Sequence, residues 1–386
     1  MAAGGLPVLK VARRLCLLAG WLAAWALTGV AAAEPCRHAD QTWDASCLRR
    51  QYQGPVHAWP PPAVDAGVAW QEWGPIPPLD AARSWLPDNA VRSPLARDIA
   101  RPEIRALGAR LFAEPRLSRS GRIACASCHQ PQRALGDGRP LAIGEDGLMG
   151  RRRSMPLYGA PFAPLLFWDG RANDLWQQVL MPISDPREMN HDAASATARL
   201  AALPEFQTAF SEAFGETGVS AAKMARALAA HVASLRPPAT RFDAFIAGDN
   251  QAYTDQEVIG LHLFRNQARC MQCHHGPLLT DQRFHNIGLS FLGRRNQDLG
   301  RYEITRDPAD AGTFRTPSLR QVAQAGPWMH NGIFPRLDGL LRMYNAGMPP
   351  DAPAVEGLRA PKSPLIQPLS LNADELRALE AFLRTL

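Results

Sequence analysis

One pentapeptide, occurring twice, limits what this chain can fold into more than any other feature. Cys125-Ala126-Ser127-Cys128-His129 returns as Cys270-Met271-Gln272-Cys273-His274. Two thiols three residues apart can each add to one vinyl group of a porphyrin. The histidine directly after them then sits under the iron as its proximal ligand. The alternative is a four-cysteine zinc cluster. Zinc sites usually bring their cysteine pairs within roughly 15–20 residues of one another, and zinc gives no reason for a histidine directly after both pairs. The pattern reads as two covalently attached c-type haems, held through Cys125, Cys128, Cys270 and Cys273 with His129 and His274 on the irons. Two haems make this a redox protein.

The other cysteines agree with export. Residues 1–33 carry Lys10, Arg13 and Arg14 ahead of an apolar run from Leu15 to Val30, and Ala31-Ala32-Ala33 precede Glu34. That run is shorter than the roughly 20 residues a membrane span needs, so it reads as a cleaved signal peptide of a periplasmic protein rather than as an anchor. Cys16 leaves with it, and Cys36 and Cys47 remain as a disulfide pair for an oxidising compartment. The formal charge of +6 misleads, because three leader cations account for half of it. Four haem propionates would bring the mature surface near neutrality, and nothing argues for nucleic acid.

A length of 386 residues allows two or three domains. Residues 34–100 form a proline- and tryptophan-rich extension without helical periodicity, expected to wrap the body as an arm. A helix over 102–113 then presents Ile104, Leu107, Leu111 and Phe112 on one face. Its Gly108-Ala109-Arg110-Leu111-Phe112 reappears as Gly260-Leu261-His262-Leu263-Phe264 before the second haem motif, behind the capping box Thr254-Asp255-Gln256-Glu257. Helix, glycine and haem cysteines, in that order twice, indicate a duplicated cytochrome c-like unit. Further helices are expected over 173–181, 192–203, 204–214 and 220–235, with a last one from Asn372. Arg236-Pro237-Pro238 divides a haem domain at 101–238 from another at 239–386. The expected fold is mainly α.

Around the two haem motifs stand Phe167-Trp168-Asp169-Gly170-Arg171, Asp185-Pro186-Arg187-Glu188-Met189 and the run from Thr280 to Gly288. Phe314-Arg315-Thr316-Pro317-Ser318-Leu319-Arg320 and His330-Asn331-Gly332 follow. On these motifs, over residues 101–348, the chain resembles the bacterial di-haem cytochrome c peroxidases and their MauG-type relatives. It implies two haem domains packed face to face, an N-terminal haem that meets peroxide and a C-terminal haem that handles electrons. It places the distal acid/base at Glu188, twenty residues after Trp168, with Gln178 as its neighbour and Trp168 between the haems.

Three departures within the resemblance matter. Sixteen residues after His129, where many of these peroxidases carry a histidine that plugs the resting site, stands Glu145. The first site therefore reads as permanently open, as in the MauG branch. Fourteen residues after His330, where the peroxidases place a methionine ligand, stands Tyr344, with Met343 next to it. Only one of the two can reach the iron, and Tyr344 is the expected ligand. Finally, a calcium-ligating asparagine of the family is replaced by Arg153. Either backbone carbonyls and water hold the ion, or Arg153 supplies its charge.

The resemblance thus implies a peroxidase that forms high-valent iron with hydrogen peroxide and oxidises a protein partner, as MauG does. A peroxidase drawing electrons from a small cytochrome or cupredoxin is the alternative. A third is a non-catalytic di-haem electron carrier.

Overall fold

The computed structural model describes residues 36–78 and 92–386; the expected signal peptide lies outside them. Thirteen helices are seen among the described residues. They are α1 (Ala45–Gln51), α2 (Arg92–Ala100), α3 (Pro102–Phe112), α4 (Cys125–Cys128), α5 (Leu175–Ser184), α6 (Ala193–Ala201) and α7 (Pro204–Phe214). After them come α8 (Ala221–Ser234), α9 (Arg241–Ile246), α10 (Asp255–Arg265), α11 (Tyr302–Thr305), α12 (Leu337–Asn345) and α13 (Ala373–Leu383). The strands β1 (Phe284–His285) and β2 (Phe314–Arg315) pair antiparallel, Phe284 opposite Arg315. The fold is mainly α, as expected.

Two hydrophobic cores follow the duplication. The first joins α3 to α5 through α8, the second α1, α9, α10, α12 and α13. Each is keyed by a glycine. A Cβ on Gly108 would lie 1.9 Å from the Ala227 carbonyl oxygen of α8, and one on Gly260 would lie 1.9 Å from that of Ala378 in α13. Only a residue without a side chain lets these helices approach so closely. The repeated glycine therefore sets the same helix crossing in both halves, each just before a haem motif.

Of the expected arm, residues 36–78 pack on the second core and α2 on the first. Cys36 and Cys47 are disulfide-bonded with Cα atoms 5.3 Å apart. Trp59 and Trp73 are buried and meet edge to face at 6.4 Å. Between them lies the fully buried Arg265, paired with Glu72 at 2.7 Å. Glu375, reaching back to the Asn372 N–H as the α13 capping box requires, also accepts from Arg37 at 2.8 Å and from Trp43 at 3.0 Å.

Two local features departed from sequence periodicity. Helix α2 forms in a stretch that shows none, because tertiary contact supplies its reason: Asp98 is buried against Arg226 of α8 at 2.6 Å. Helix α5 was expected to end at 181 but runs through Pro182 to Ser184. Its last carbonyls are capped by the loop that follows, since Pro182 and Ile183 accept from the N–H groups of Met189 and His191 at 3.2 and 2.8 Å. The proline's fixed φ is helical and its missing N–H is tolerated there. The same bonds fold residues 185–191 back onto α5.

Candidate haem-binding active site

Both haem motifs are built alike. The Nδ1–H of His129 donates to the Leu135 carbonyl at 2.8 Å, and that of His274 to Leu279 at 2.9 Å. Each bond fixes the ring and commits one nitrogen, which leaves Nε2 for a metal. Burial lowers the pKa of both imidazoles, that of His274 to about 4, so both stay in the neutral form that ligation needs. Cys125, Cys128, Cys270 and Cys273 are all unbridged, and each pair lines a cavity together with its histidine. Free thiol pairs beside a neutral imidazole in a largely apolar cavity fit a covalently held haem.

Gln178 and Glu188 line the first cavity together with His129. They converge because α5 carries Gln178 and the folded-back loop carries Glu188. Burial pushes the Glu188 carboxyl up to about 7; Asp185 adds to this and Arg171 opposes it. A carboxyl that titrates near neutrality can both take and return a proton.

Glu145, at the expected plug position, turns away from this cavity. Its side chain is buried and accepts from the Ser120 hydroxyl at 2.7 Å, and its N–H donates to the Glu188 carbonyl at 2.8 Å. It braces the loop rather than filling the site. Gly144 permits this approach, for a Cβ there would lie 2.1 Å from the Arg187 carbonyl oxygen.

In the second cavity the question of Tyr344 or Met343 becomes one of helix geometry. Leu337, Leu340, Leu341 and Tyr344 all line it, the spacing of one face of α12. Met343 lies off that stripe and is not among the lining residues. Burial raises the Tyr344 hydroxyl well above the ordinary tyrosine range.

Trp168 is 6% exposed. It lines the His274 cavity and also the cleft that reaches His129, Gln178 and Glu188. Three distant segments hold it. Its indole N–H donates to the Arg153 carbonyl at 3.0 Å, and its own carbonyl accepts from the Arg315 N–H at 2.8 Å. The His330 ring stands edge-on to it at 6.4 Å and stacks on Phe314 at 3.6 Å. Arg153 closes the ring of contacts by donating its N–H to the His330 carbonyl at 2.7 Å.

Sequence reasoning passed over two groups here. Arg315 was read only as part of a motif, although it is buried beside Trp168. Asp281 and His285 form a 2.7 Å pair next to Cys273, and the three have the spacing of a metal site. A thioether at Cys273 would remove its thiolate and leave Asp281 and His285 as a pair at the edge of the second cavity. The i, i+4 spacing of Asp281 and His285 was the available signal.

Residues 102–251 match the protein family described as di-haem cytochrome c peroxidase. The methylamine utilization protein MauG of Methylophilus methylotrophus is 34% identical over 287 residues, 73% of this chain and 82% of that protein. Cytochrome-c peroxidase IdrP1 of Pseudomonas sp. (strain SCT) is 33% identical over 310 residues, 73% of this chain and 80% of its own. Among solved structures, a MauG-like protein associated with microbial copper homeostasis superposes with a TM-score of 0.67. It is 30% identical, over 84% of this chain and 92% of that one. With paired thiols and an oriented histidine in each of two cavities, the chain belongs to the di-haem cytochrome c peroxidase family, and it is a haem-dependent, peroxide-using oxidoreductase.

Proposed function

We propose that this protein is an exported, periplasmic oxidant of the MauG type, which spends peroxide on withdrawing electrons from aromatic residues of a partner protein. The observation that carries this reading is the α12 stripe, which turns Tyr344 and not Met343 toward the second cavity. A tyrosinate ligand is hard and anionic; it stabilises oxidised iron, whereas methionine raises the potential. Burial favours the neutral phenol, so ligation there would require Tyr344 to give up its proton.

The haem held by His129 would supply peroxide activation, and the one held by His274 a second store of oxidising equivalents. Glu188 accepts the proton of the incoming peroxide and returns it to the departing oxygen, with Gln178 alongside to orient the exchange. Glu145 is engaged with Ser120 and leaves the peroxide cavity clear. Trp168 offers an easily oxidised π-system where the His274 cavity meets the cleft that reaches His129.

The test is to add one equivalent of peroxide to the fully oxidised protein and to a half-reduced sample. Reaction of the oxidised protein supports the MauG-type reading. Reaction only after half-reduction would assign it instead to the peroxidases that draw on a small cytochrome. Two inert irons would leave an electron carrier.

A further inference from the structure

Two buried arginines stand where the His274 cavity meets the cleft that reaches His129. Arg153 is 5% exposed and Arg315 8%. Each lines both the His274 cavity and the cleft that reaches His129. Arg153 donates to the Ala325 carbonyl, and its Nε meets no acceptor. Arg315 donates to the Phe167 carbonyl at 3.2 Å and to Gln282 Oε1 at 2.7 Å, while its remaining nitrogen faces the Met155 sulfur at 2.8 Å. Among the described residues, neither guanidinium has a carboxylate at ion-pair distance.

The other buried arginines of this chain are treated differently. Arg152 takes Asp298 at 2.7 Å, Arg265 takes Glu72 at 2.7 Å and Arg320 takes Asp243 at 2.5 Å. Buried charge is normally paired, because leaving it unpaired is among the costliest features a fold can carry. Burial pulls both guanidinium groups down to about 10, with only Asp137 opposing it at Arg153. The fold thus keeps two places for anions, both opening on cavities that fit a haem. Each haem brings two carboxylates as propionates.

We propose that Arg153 and Arg315 receive haem propionates, and that these ion pairs set the charge around Trp168. The proposal rests on the two haems of the family and not on the identity of the substrate. The same two residues hold Trp168 through their backbones. Two uncompensated positive charges beside an indole would oppose removal of its electron. A carboxylate on each guanidinium cancels that opposition, so haem insertion and an oxidisable Trp168 arrive together. Such pairing favours arginine, whose planar fork meets a carboxylate at two points.

Arg153→Gln and Arg315→Gln, made singly in the haem-loaded protein, test this by potentiometric titration beside Arg→Lys at each position. A propionate that loses its counter-charge favours ferric iron. Each glutamine variant should therefore lower the midpoint of one haem by a ten-fold shift in its reduction equilibrium, about 59 mV for a one-electron couple. That midpoint should also become pH-dependent as the freed propionate takes a proton. Lysine should restore most of the shift. Unchanged midpoints at full haem content would overturn the proposal, as would lysine falling as far as glutamine. If a variant fails to load haem, a crystal structure of the wild-type holoprotein decides. Propionate oxygens within about 4 Å of both guanidinium groups support the assignment, and propionates directed elsewhere refute it.

Discussion

At the scale of single residues, Glu188 is the most exposed to test. Taking a proton requires the carboxylate, and burial places its titration at about 7. The peroxide reaction should therefore slow as pH falls through neutrality, because the protonated acid cannot accept. Glu188→Gln should leave haem content intact, slow the reaction about 10²-fold or more, and abolish that acid limb. A variant that keeps both rate and limb would mean another group moves the proton. Tyr344→Phe should change the optical spectrum of one haem only, and Met343→Leu should change neither. A spectral change in the methionine variant would reverse the ligand assignment and, with it, the preference for a MauG-type oxidant.

Between residue and fold stand the helices and the loops they hold. Gly144→Ala would set a Cβ against the Arg187 carbonyl, so the loop bearing Glu188 has to shift. Its peroxide reaction should fall at least ten-fold while both haems remain attached; an unchanged rate would show that the loop tolerates movement. Gly260→Ala should destabilise the second core by about 1–3 kcal/mol through overpacking, read as a lower denaturation midpoint. The duplicated helix was legible because its glycine, apolar face and cap are local signals. The end of α5 was not, because carbonyl capping by residues 189 and 191 depends on how the loop returns. Helix α2 escaped notice for the same reason, since its stability comes from the Asp98–Arg226 pair across the core.

For the molecule as a whole, the expected haem attachment points need no tertiary information, since five adjacent residues carry each. The wall between the cavities could be anticipated only in part. Trp168 is expected between the haems, and it lines the His274 cavity and the cleft that reaches His129. The buried, anion-free state of Arg153 and Arg315 was invisible, because a missing partner leaves no trace in a linear pattern. These pieces meet in one proposal: peroxide reacts at the His129 side, and its oxidising equivalents are shared with the His274 side through Trp168. Stopped-flow spectra of the fully oxidised protein mixed with one equivalent of peroxide, run beside Trp168→Phe, test that claim most directly. Phenylalanine keeps much of the packing but not the easily oxidised indole. The account predicts that in the wild type the bands of both haems change together, and that in the variant only those of the His129 haem change. Both haems responding in the variant as they do in the wild type would contradict it.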